Sequence, residues 1–198
     1  MSGGKTSQRG LATHVSRVAT ETKENNMTGI DRRHVLGGLV TGGAAISAAA
    51  AAAGAPAELA IKDFKKQAEL ACVYHCDFGD AARFSQQLRN INNHLAQYNF
   101  DRSKLKIVIV THSAGIKYFL ADLAGTPWSE ERLDPELDKR MKALGEYGVE
   151  VFLCKFTFAS LKIDQAKARP DPFIRFVPSG IAAAAGLQAN GFAYVKVG

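Results

Sequence analysis

Lys106-Ile107-Val108-Ile109-Val110-Thr111, followed by His112-Ser113-Ala114-Gly115, is the stretch of the chain that decides its fold. After Lys106 the first run is β-branched and largely apolar, which is typical of a central strand buried on both faces of a parallel sheet. The residues that follow are small or polar and predict a turn into a helix, with Ser113 as its cap. A strand that passes directly into a helix indicates an α/β protein.

Four further apolar segments on either side of this stretch also have the character of strands, and helical patterns lie between them. The predicted strands are residues 70–74, 106–111, 149–154, 173–177 and 192–197. The predicted helices are one after the Asp80 cap with an apolar stripe at Phe84, Leu88, Ile91 and Leu95, and residues 116–123, 135–147, 156–168 and 179–189. This alternation predicts a mostly parallel sheet of about five strands, covered by helices on both faces and joined by right-handed crossovers. We expect one folded domain at residues 58–198.

Composition and charge indicate a globular protein without a nucleic-acid interface. Hydrophobic residues make up 46% and charged residues 22% of the 198-residue chain, and the net charge is +6. The first 57 residues hold 6 basic and 3 acidic side chains, so half of that net charge lies outside the predicted domain. A net charge of +3 spread through a domain differs from the clustered basic face of a nucleic-acid-binding protein. We therefore expect no nucleic-acid partner.

The first 57 residues have the organisation of an export signal. Arg32-Arg33 precede a weakly apolar run at residues 35–53, and Ala55-Pro56-Ala57 offers small residues for cleavage before Glu58. This order resembles a bacterial twin-arginine signal, which implies export of the folded protein to the periplasm by the twin-arginine translocase. An uncleaved anchor in the inner membrane is the alternative. Met27 is an alternative start of the chain.

The three cysteines, Cys72, Cys76 and Cys154, are too few for a disulfide scaffold, and their odd number leaves at least one thiol free or paired between chains. Cys72 lies within an apolar strand pattern, as a core residue does. Cys76 is at the end of the same pattern. Cys154 ends a later strand beside Lys155 and near a helix start, where a cation and backbone N–H groups favour thiolate over thiol. Position alone leaves reactive and structural roles for Cys154 equally open.

Two other chemistries have weaker support. Ser113 follows a strand as the nucleophile of a serine hydrolase does, but all five histidines precede it, whereas the α/β-hydrolase base follows its serine. His75, Cys76, Asp77 and His112 come together at strand ends, as metal ligands can. Adjacent strand residues point to opposite faces, however, so His75 and Cys76 cannot easily bind one ion. We expect no metal, and no nucleotide-binding motif suggests a cofactor.

Several short motifs, in this order and spacing, resemble the DsrE/DsrF-like family over about residues 68–197. They are Val73-Tyr74-His75 with Asp77 and Gly79; Leu88-Arg89-Asn90-Ile91-Asn92-Asn93-His94-Leu95; Ile107-Val108-Ile109-Val110-Thr111 with His112 and Gly115-Ile116; Gly148-Val149 with Phe152-Leu153-Cys154; and Val177-Pro178-Ser179-Gly180-Ile181-Ala182, Leu187-Gln188 and Gly191-Phe192-Ala193-Tyr194. The resemblance implies a three-layer α/β/α sandwich that assembles as a trimer or hexamer. It also implies that Cys154 carries sulfur as a persulfide between a donor and an acceptor, which can be proteins or small sulfur compounds.

The resemblance leaves the function open at two points. Lys155 and Phe156 replace the turn that often follows the family cysteine, and export implies donors other than the cytoplasmic ones, such as polysulfide. In a sulfur-relay protein, His112, His75 and Cys76 are the candidate assisting groups. The alternative is a non-catalytic binding module with a structural Cys154, in which Phe156, Phe158, Leu161 and Ile163 form an oligomer or partner surface.

Overall fold

A computed structural model describes residues 54–198 of the chain. The paired arginines and the apolar run of the predicted export signal lie outside the described residues. Within the described part, no helix combines the length and the apolar character needed to cross a membrane.

The described residues form one five-stranded sheet in which every strand pairing is parallel. The strands are β1 Leu70–Cys76, β2 Leu105–Thr111, β3 Glu150–Cys154, β4 Ile174–Val177 and β5 Ala193–Val195. Their order across the sheet is β4-β3-β2-β1-β5, which places the predicted central strand β2 in the middle. The α/β fold with a five-stranded parallel sheet is therefore confirmed.

Four α-helices connect the strands, and most of their ends follow local sequence signals. They are α1 Ala81–Gln97, α2 Pro135–Glu146, α3 Lys155–Ser160 and α4 Gly180–Ala189. The Asp80 carboxylate caps α1 by accepting a hydrogen bond from the Arg83 N–H, and Ser179 caps α4 in the same way through Ala182 N–H. Gly148 follows α2 with φ +87°, a conformation that glycine adopts at little cost.

Two predicted helices differ from the structure. The segment predicted as a helix at residues 116–123 is a 3₁₀ helix, Ser113–Phe119, that starts directly behind β2. The segment predicted at residues 156–168 is divided into α3 and a 3₁₀ turn, Gln165–Lys167. Lys162 causes the division, because its φ of +55° cannot continue a right-handed helix.

Helices cover the sheet on both faces, which gives three layers. Leu88 and Ile91 of α1 and Met141 of α2 share one core with Ile107 and Ile109 of β2. The opposite core joins α4 to the other face of the sheet and contains Val108, Val110, Phe152, Ala183 and Leu187. Since residues alternate between faces along a strand, the face of each candidate site residue follows from these two cores.

The chain before β1 is attached to the outer edge of β4. The Leu59 N–H donates to the Phe176 carbonyl at 2.8 Å, and the Phe176 N–H donates to the Ala57 carbonyl at 2.9 Å. The ammonium of Lys155 forms an ion pair with the Glu58 carboxylate at 2.6 Å. Residues 57–59 are therefore part of the packed domain.

Candidate functional site

The carboxyl ends of β1, β2 and β3 place His75, His112 and Cys154 on one face of the sheet. His75 alternates with Val73, His112 with Val110, and Cys154 with Phe152, and these three apolar residues all belong to the core beneath α4. Thr111 pairs with Leu153, so His112 and Cys154 are the next residues along neighbouring strands. Neighbouring strands are about 4.8 Å apart. Three of the four predicted site residues therefore occupy one edge, where parallel α/β sheets bind their ligands.

Gly180, the first residue of α4, packs against both His112 and Cys154. A Cβ atom placed on Gly180 would lie 3.1 Å from His112 Cδ2 and 3.2 Å from Cys154 Cβ. Both distances are shorter than ordinary van der Waals contact between carbon atoms. The absence of a side chain at Gly180 therefore allows the start of α4 to approach the histidine and the cysteine together.

The imidazoles of His75 and His112 are in direct contact through their Nε2 atoms, which are 2.6 Å apart. The other ring nitrogens contact hydroxyl groups: His75 Nδ1 lies 2.9 Å from Tyr194 Oη, and His112 Nδ1 lies 2.9 Å from Ser113 Oγ. A hydroxyl can donate or accept, so this chain of contacts is compatible with either direction of hydrogen bonding. Each imidazole ring is thus in contact through both of its nitrogen atoms.

The turn after β2 is held by close backbone packing. Ser113 has φ +50°, which is uncommon for a residue other than glycine, and its N–H donates to Thr157 Oγ1 at 3.1 Å. A Cβ on Gly115 would lie 2.2 Å from the Cys76 carbonyl oxygen, so only glycine fits there. Ser113 therefore does not cap the following helix as predicted; its hydroxyl contacts the His112 ring.

Burial and the nearby His75 ring lower the pKa of His112, and the Asp77 carboxylate opposes them in part. The imidazole of His112 is therefore neutral at neutral pH, and a neutral imidazole has a lone pair that can accept a proton or bind a metal. Ligating atoms of His75, His112 and Asp77 all lie within 4.8 Å of one another. Two imidazoles and a carboxylate form a donor set that suits a divalent transition metal.

Cys154 is 5% exposed and lies at the end of β3, directly before α3. The cation predicted to favour its thiolate, Lys155, is instead paired with Glu58. The next residue, Phe156, is 68% exposed. Cys154 is therefore buried at an edge of the protein that exposes an aromatic ring.

Cys76 and Cys72 lie on the opposite face of the sheet, in the core with α1 and α2. Burial raises the pKa of Cys72 and raises that of Cys76 to about 12, so both remain thiols at neutral pH. Strand β2 separates Cys76 from Cys154. Two strand spacings are about 9.6 Å, more than the roughly 7 Å between Cα atoms that a disulfide allows. The structure thus gives Cys76 no access to Cys154, and all three cysteines are free.

A cavity of about 760 Å³ lies at the other end of the sheet, lined in part by Arg102, Leu105, Lys142 and Val149. It contains none of the residues of the histidine and cysteine group. We place the candidate site at the carboxyl ends of the strands, because the reactive side chains converge there.

Comparison with known proteins identifies the family. The model of the DsrE/DsrF-like family matches residues 72–197, well over half of the chain. The chain belongs to the DsrE/DsrF-like family. Among solved structures, the DsrE/DsrF-like domain is similar to a protein of unknown function, MTH1491, from Methanobacterium thermoautotrophicum, at 20% sequence identity and a TM-score of 0.50. That similarity covers 64% of this chain and 98% of the other, and it supports the fold alone. No curated protein matches the chain significantly.

In this DsrE/DsrF-like domain the matched residues include the whole histidine and cysteine group. The sequence did not identify Tyr194, Gly180 or Thr157 as residues of the site, although they position that group. Tyr194 pairs with Val73 across β5 and β1, and this neighbour relation cannot be read from a single strand pattern. The sequence did contain a signal for Gly180. Glycine has a low helix propensity, so a glycine at the first position of a helix indicates another role for that residue.

Proposed function

We propose that this DsrE/DsrF-like protein is a sulfur-relay protein that carries sulfur as a persulfide on Cys154. The observation that supports it most directly is the position of Cys154 beside His112 on neighbouring strands, with Gly180 packed against both. Sulfur relay is the role associated with the family, and it requires a cysteine at a reactive edge of the domain. Cys154 is the cysteine that meets this requirement, since Cys72 and Cys76 are buried in the opposite core.

The transfer exchanges one sulfur–sulfur bond for another. The Cys154 thiolate attacks the outer sulfur of a persulfide or polysulfide donor; a new S–S bond forms on Cys154 and the donor leaves as a thiolate. An acceptor thiolate then attacks the outer sulfur of the Cys154 persulfide, and the Cys154 thiolate leaves. Neither step requires an external oxidant or reductant, because the transferred atom is already sulfane sulfur.

His112 is the group best placed to take the proton of the Cys154 thiol, since its imidazole is neutral and it directly follows β2, which pairs with the strand that ends at Cys154. His75 is a positioning residue, because it contacts the Nε2 atom of His112 and is itself held by Tyr194. We assign no assisting role to Cys76.

Intact mass spectrometry of the folded full-length protein after exposure to polysulfide tests the proposal. We expect the mass of at least one added sulfur atom, removable by reductant and mapped to the peptide that contains Cys154. Cys154→Ser should abolish loading, whereas Cys72→Ala should leave it unchanged because Cys72 lies in the opposite core. Undiminished loading of Cys154→Ser would contradict the proposal.

A non-catalytic binding module is the second candidate, and the 5% exposure of Cys154 favours it. The apolar surface predicted for such a module is smaller than expected, because Phe158 and Ile163 are buried in the core while Phe156 is exposed. Ile181, 60% exposed on α4, adds a second exposed apolar side chain. If small alkylating reagents label Cys154 only after denaturation, the binding module becomes the better explanation.

We also propose that copies of the chain associate as a trimer or hexamer. Exposed Phe156 and Ile181 support this proposal, since large apolar side chains on a surface are common at contacts between proteins. Light scattering of the purified protein gives the oligomeric mass directly. Phe156→Ser should shift that mass toward the monomer if this edge takes part in the contact.

For location, we propose export to the periplasm by the twin-arginine translocase, with an uncleaved inner-membrane anchor as the alternative. The support is the Arg32-Arg33 pair before the weakly apolar run, with the small residues before Glu58. Cell fractionation of the wild type and of the Arg32→Lys/Arg33→Lys double variant tests it. Export that persists unchanged in the double variant would contradict a twin-arginine route.

A further inference from the structure

We propose that His75, His112 and Asp77 form a binding site for a divalent transition-metal ion, for which zinc is the probe of choice. The site goes beyond the sulfur-relay function and does not depend on it. The three residues lie at or just after strand ends: His75 is the penultimate residue of β1, Asp77 comes directly after β1, and His112 comes directly after β2.

The distances suit a metal ion. One ligand atom from each of the three residues lies within 4.8 Å of the other two. A tetrahedral zinc ion with ligand bonds of about 2.0–2.1 Å holds its nitrogen ligands roughly 3.3 Å apart. The two Nε2 atoms are 2.6 Å apart in the structure. Small rotations of the two rings, which open this gap by less than 1 Å, would thus admit the ion.

The hydrogen bonds around the two imidazoles are compatible with metal binding by both histidines. A histidine that binds a metal through Nε2 has its proton on Nδ1 and usually donates it to an oxygen atom, which fixes the ring. Here His75 Nδ1 faces Tyr194 Oη and His112 Nδ1 faces Ser113 Oγ, each at 2.9 Å. With that tautomer at both rings, each of the two Nε2 atoms, which are 2.6 Å apart, carries a free lone pair. Because a hydroxyl oxygen can accept a hydrogen bond, both contacts permit the tautomer that a metal requires at each ring.

The direct contact between the two rings is also explained by a shared cation. Without an ion, one Nε2 must carry a proton and donate it to the other, and there is no room for a second proton between them. A metal ion is a positive centre that both lone pairs can bind at once. Asp77 adds one negative charge to the ligand set, and its exposed side chain lets the carboxylate adjust its position.

The ligand types define the class of ion. Two imidazole nitrogens and one carboxylate oxygen suit zinc, iron, copper or nickel, whereas calcium and magnesium prefer all-oxygen sites. Three protein ligands leave at least one coordination position for a small ligand such as water. Cys154 lies outside the group defined by the 4.8 Å distances. Metal binding and proton acceptance by His112 use the same lone pair, so the two exclude each other.

Zinc titration of the untagged full-length protein, in competition with a chromophoric chelator, tests the site. We expect one equivalent with a dissociation constant on the order of 1 µM or lower. His75→Gln and His112→Gln should each weaken binding more than about 100-fold, and Tyr194→Phe about 10–100-fold through loss of ring orientation. His94→Gln is the matched control, because His94 contacts Tyr74 rather than this group, and it should bind zinc as the wild type does.

Two further measurements keep the outcomes distinct. If an imidazole variant fails to fold, Asp77→Asn decides the test, because it changes only an exposed carboxylate. This substitution should weaken zinc binding at least about tenfold. Cys154→Ser should retain zinc even though it loses sulfur loading, which separates a failure of the metal site from a failure of the relay. The proposal is overturned by the absence of saturable binding, by binding that survives both imidazole substitutions, or by a thiolate charge-transfer band in the cobalt-substituted protein.

Discussion

Gly180 lies against Cys154 at a distance that leaves little space for a β-carbon: an added Cβ would be 3.2 Å from that of Cys154. The first turn of α4 therefore forms part of the cover over the sulfur. We therefore expect access to Cys154 to depend on this contact.

Gly180→Ala tests the role of this contact. The added methyl group meets His112 and Cys154 at 3.1–3.2 Å, so we expect alkylation of Cys154 in the folded protein to slow several-fold. Stability should change by less than about 1 kcal/mol, because alanine at a helix position offsets part of the crowding. Ile181→Ala, one residue later and exposed, is the matched control. An unchanged labelling rate in Gly180→Ala would show that the sulfur is reached from another side.

Thr157→Val removes the acceptor that the Ser113 N–H uses at 3.1 Å. The two side chains have nearly the same shape, so the substitution leaves a backbone donor without a partner at a position of positive φ. We expect a loss of about 1–3 kcal/mol in the free energy of unfolding, measured by urea denaturation. Ser160→Ala, on the exposed side of the same short helix, should cost less than about 0.5 kcal/mol.

The two cysteines in the core with α1 and α2 should not react with alkylating reagents in the folded protein. Burial raises the pKa of Cys76 to about 12 and also raises that of Cys72, so neither forms appreciable thiolate at pH 8. Peptide mapping after iodoacetamide treatment should find label on Cys72 and Cys76 only in denaturant. Labelling of either residue at the rate of a free thiol would mean that this core opens.

The titration of His94 should make the free energy of unfolding depend on pH. Burial lowers its pKa below 6.5, and its Nδ1 lies 3.0 Å from the Tyr74 hydroxyl. Below pH 6.5 the unfolded chain binds a proton at this residue before the folded protein does, so the stability due to neutral His94 falls on acidification until the folded pKa is passed. The slope is below about 1.4 kcal/mol per pH unit.

Urea denaturation of wild type and His94→Gln at several values between pH 7.5 and about 5 measures this contribution. The variant should lose less stability than the wild type over this range, because it lacks the titrating imidazole. Identical slopes for the two proteins would assign the pH dependence to other groups.

The sequence predicted the position of all five strands because each is a short apolar run. Residues 106–111 and 149–154 differ from β2 and β3 by one residue at one end. Helices were harder where tertiary packing controls the backbone. Residues 115–120 are all buried, so this part of the segment has no solvent-facing side, and a tight 3₁₀ helix forms instead of the predicted α-helix.

The candidate site was predicted only in part. Strand alternation indicates that His75 and Cys76 face opposite sides, and the structure places them so. It could not reveal that β1 lies beside β2 with β5 on its other side, which brings His112 and Tyr194 to the two nitrogens of His75. The expectation against a metal rested on His75 and Cys76 facing opposite sides of the sheet. The structure brings His75, Asp77 and His112 together without Cys76.

The segment that binds β4 has a consequence for how copies of this protein can join. Parallel sheets can continue from one molecule to the next when an outer strand is left open. Here the Phe176 N–H and carbonyl of β4 are used by Ala57 and Leu59, and β5 on the other side is three residues long. Neither border offers a long row of free backbone groups. We therefore expect association through side-chain surfaces, without a β-sheet that runs across the subunit boundary.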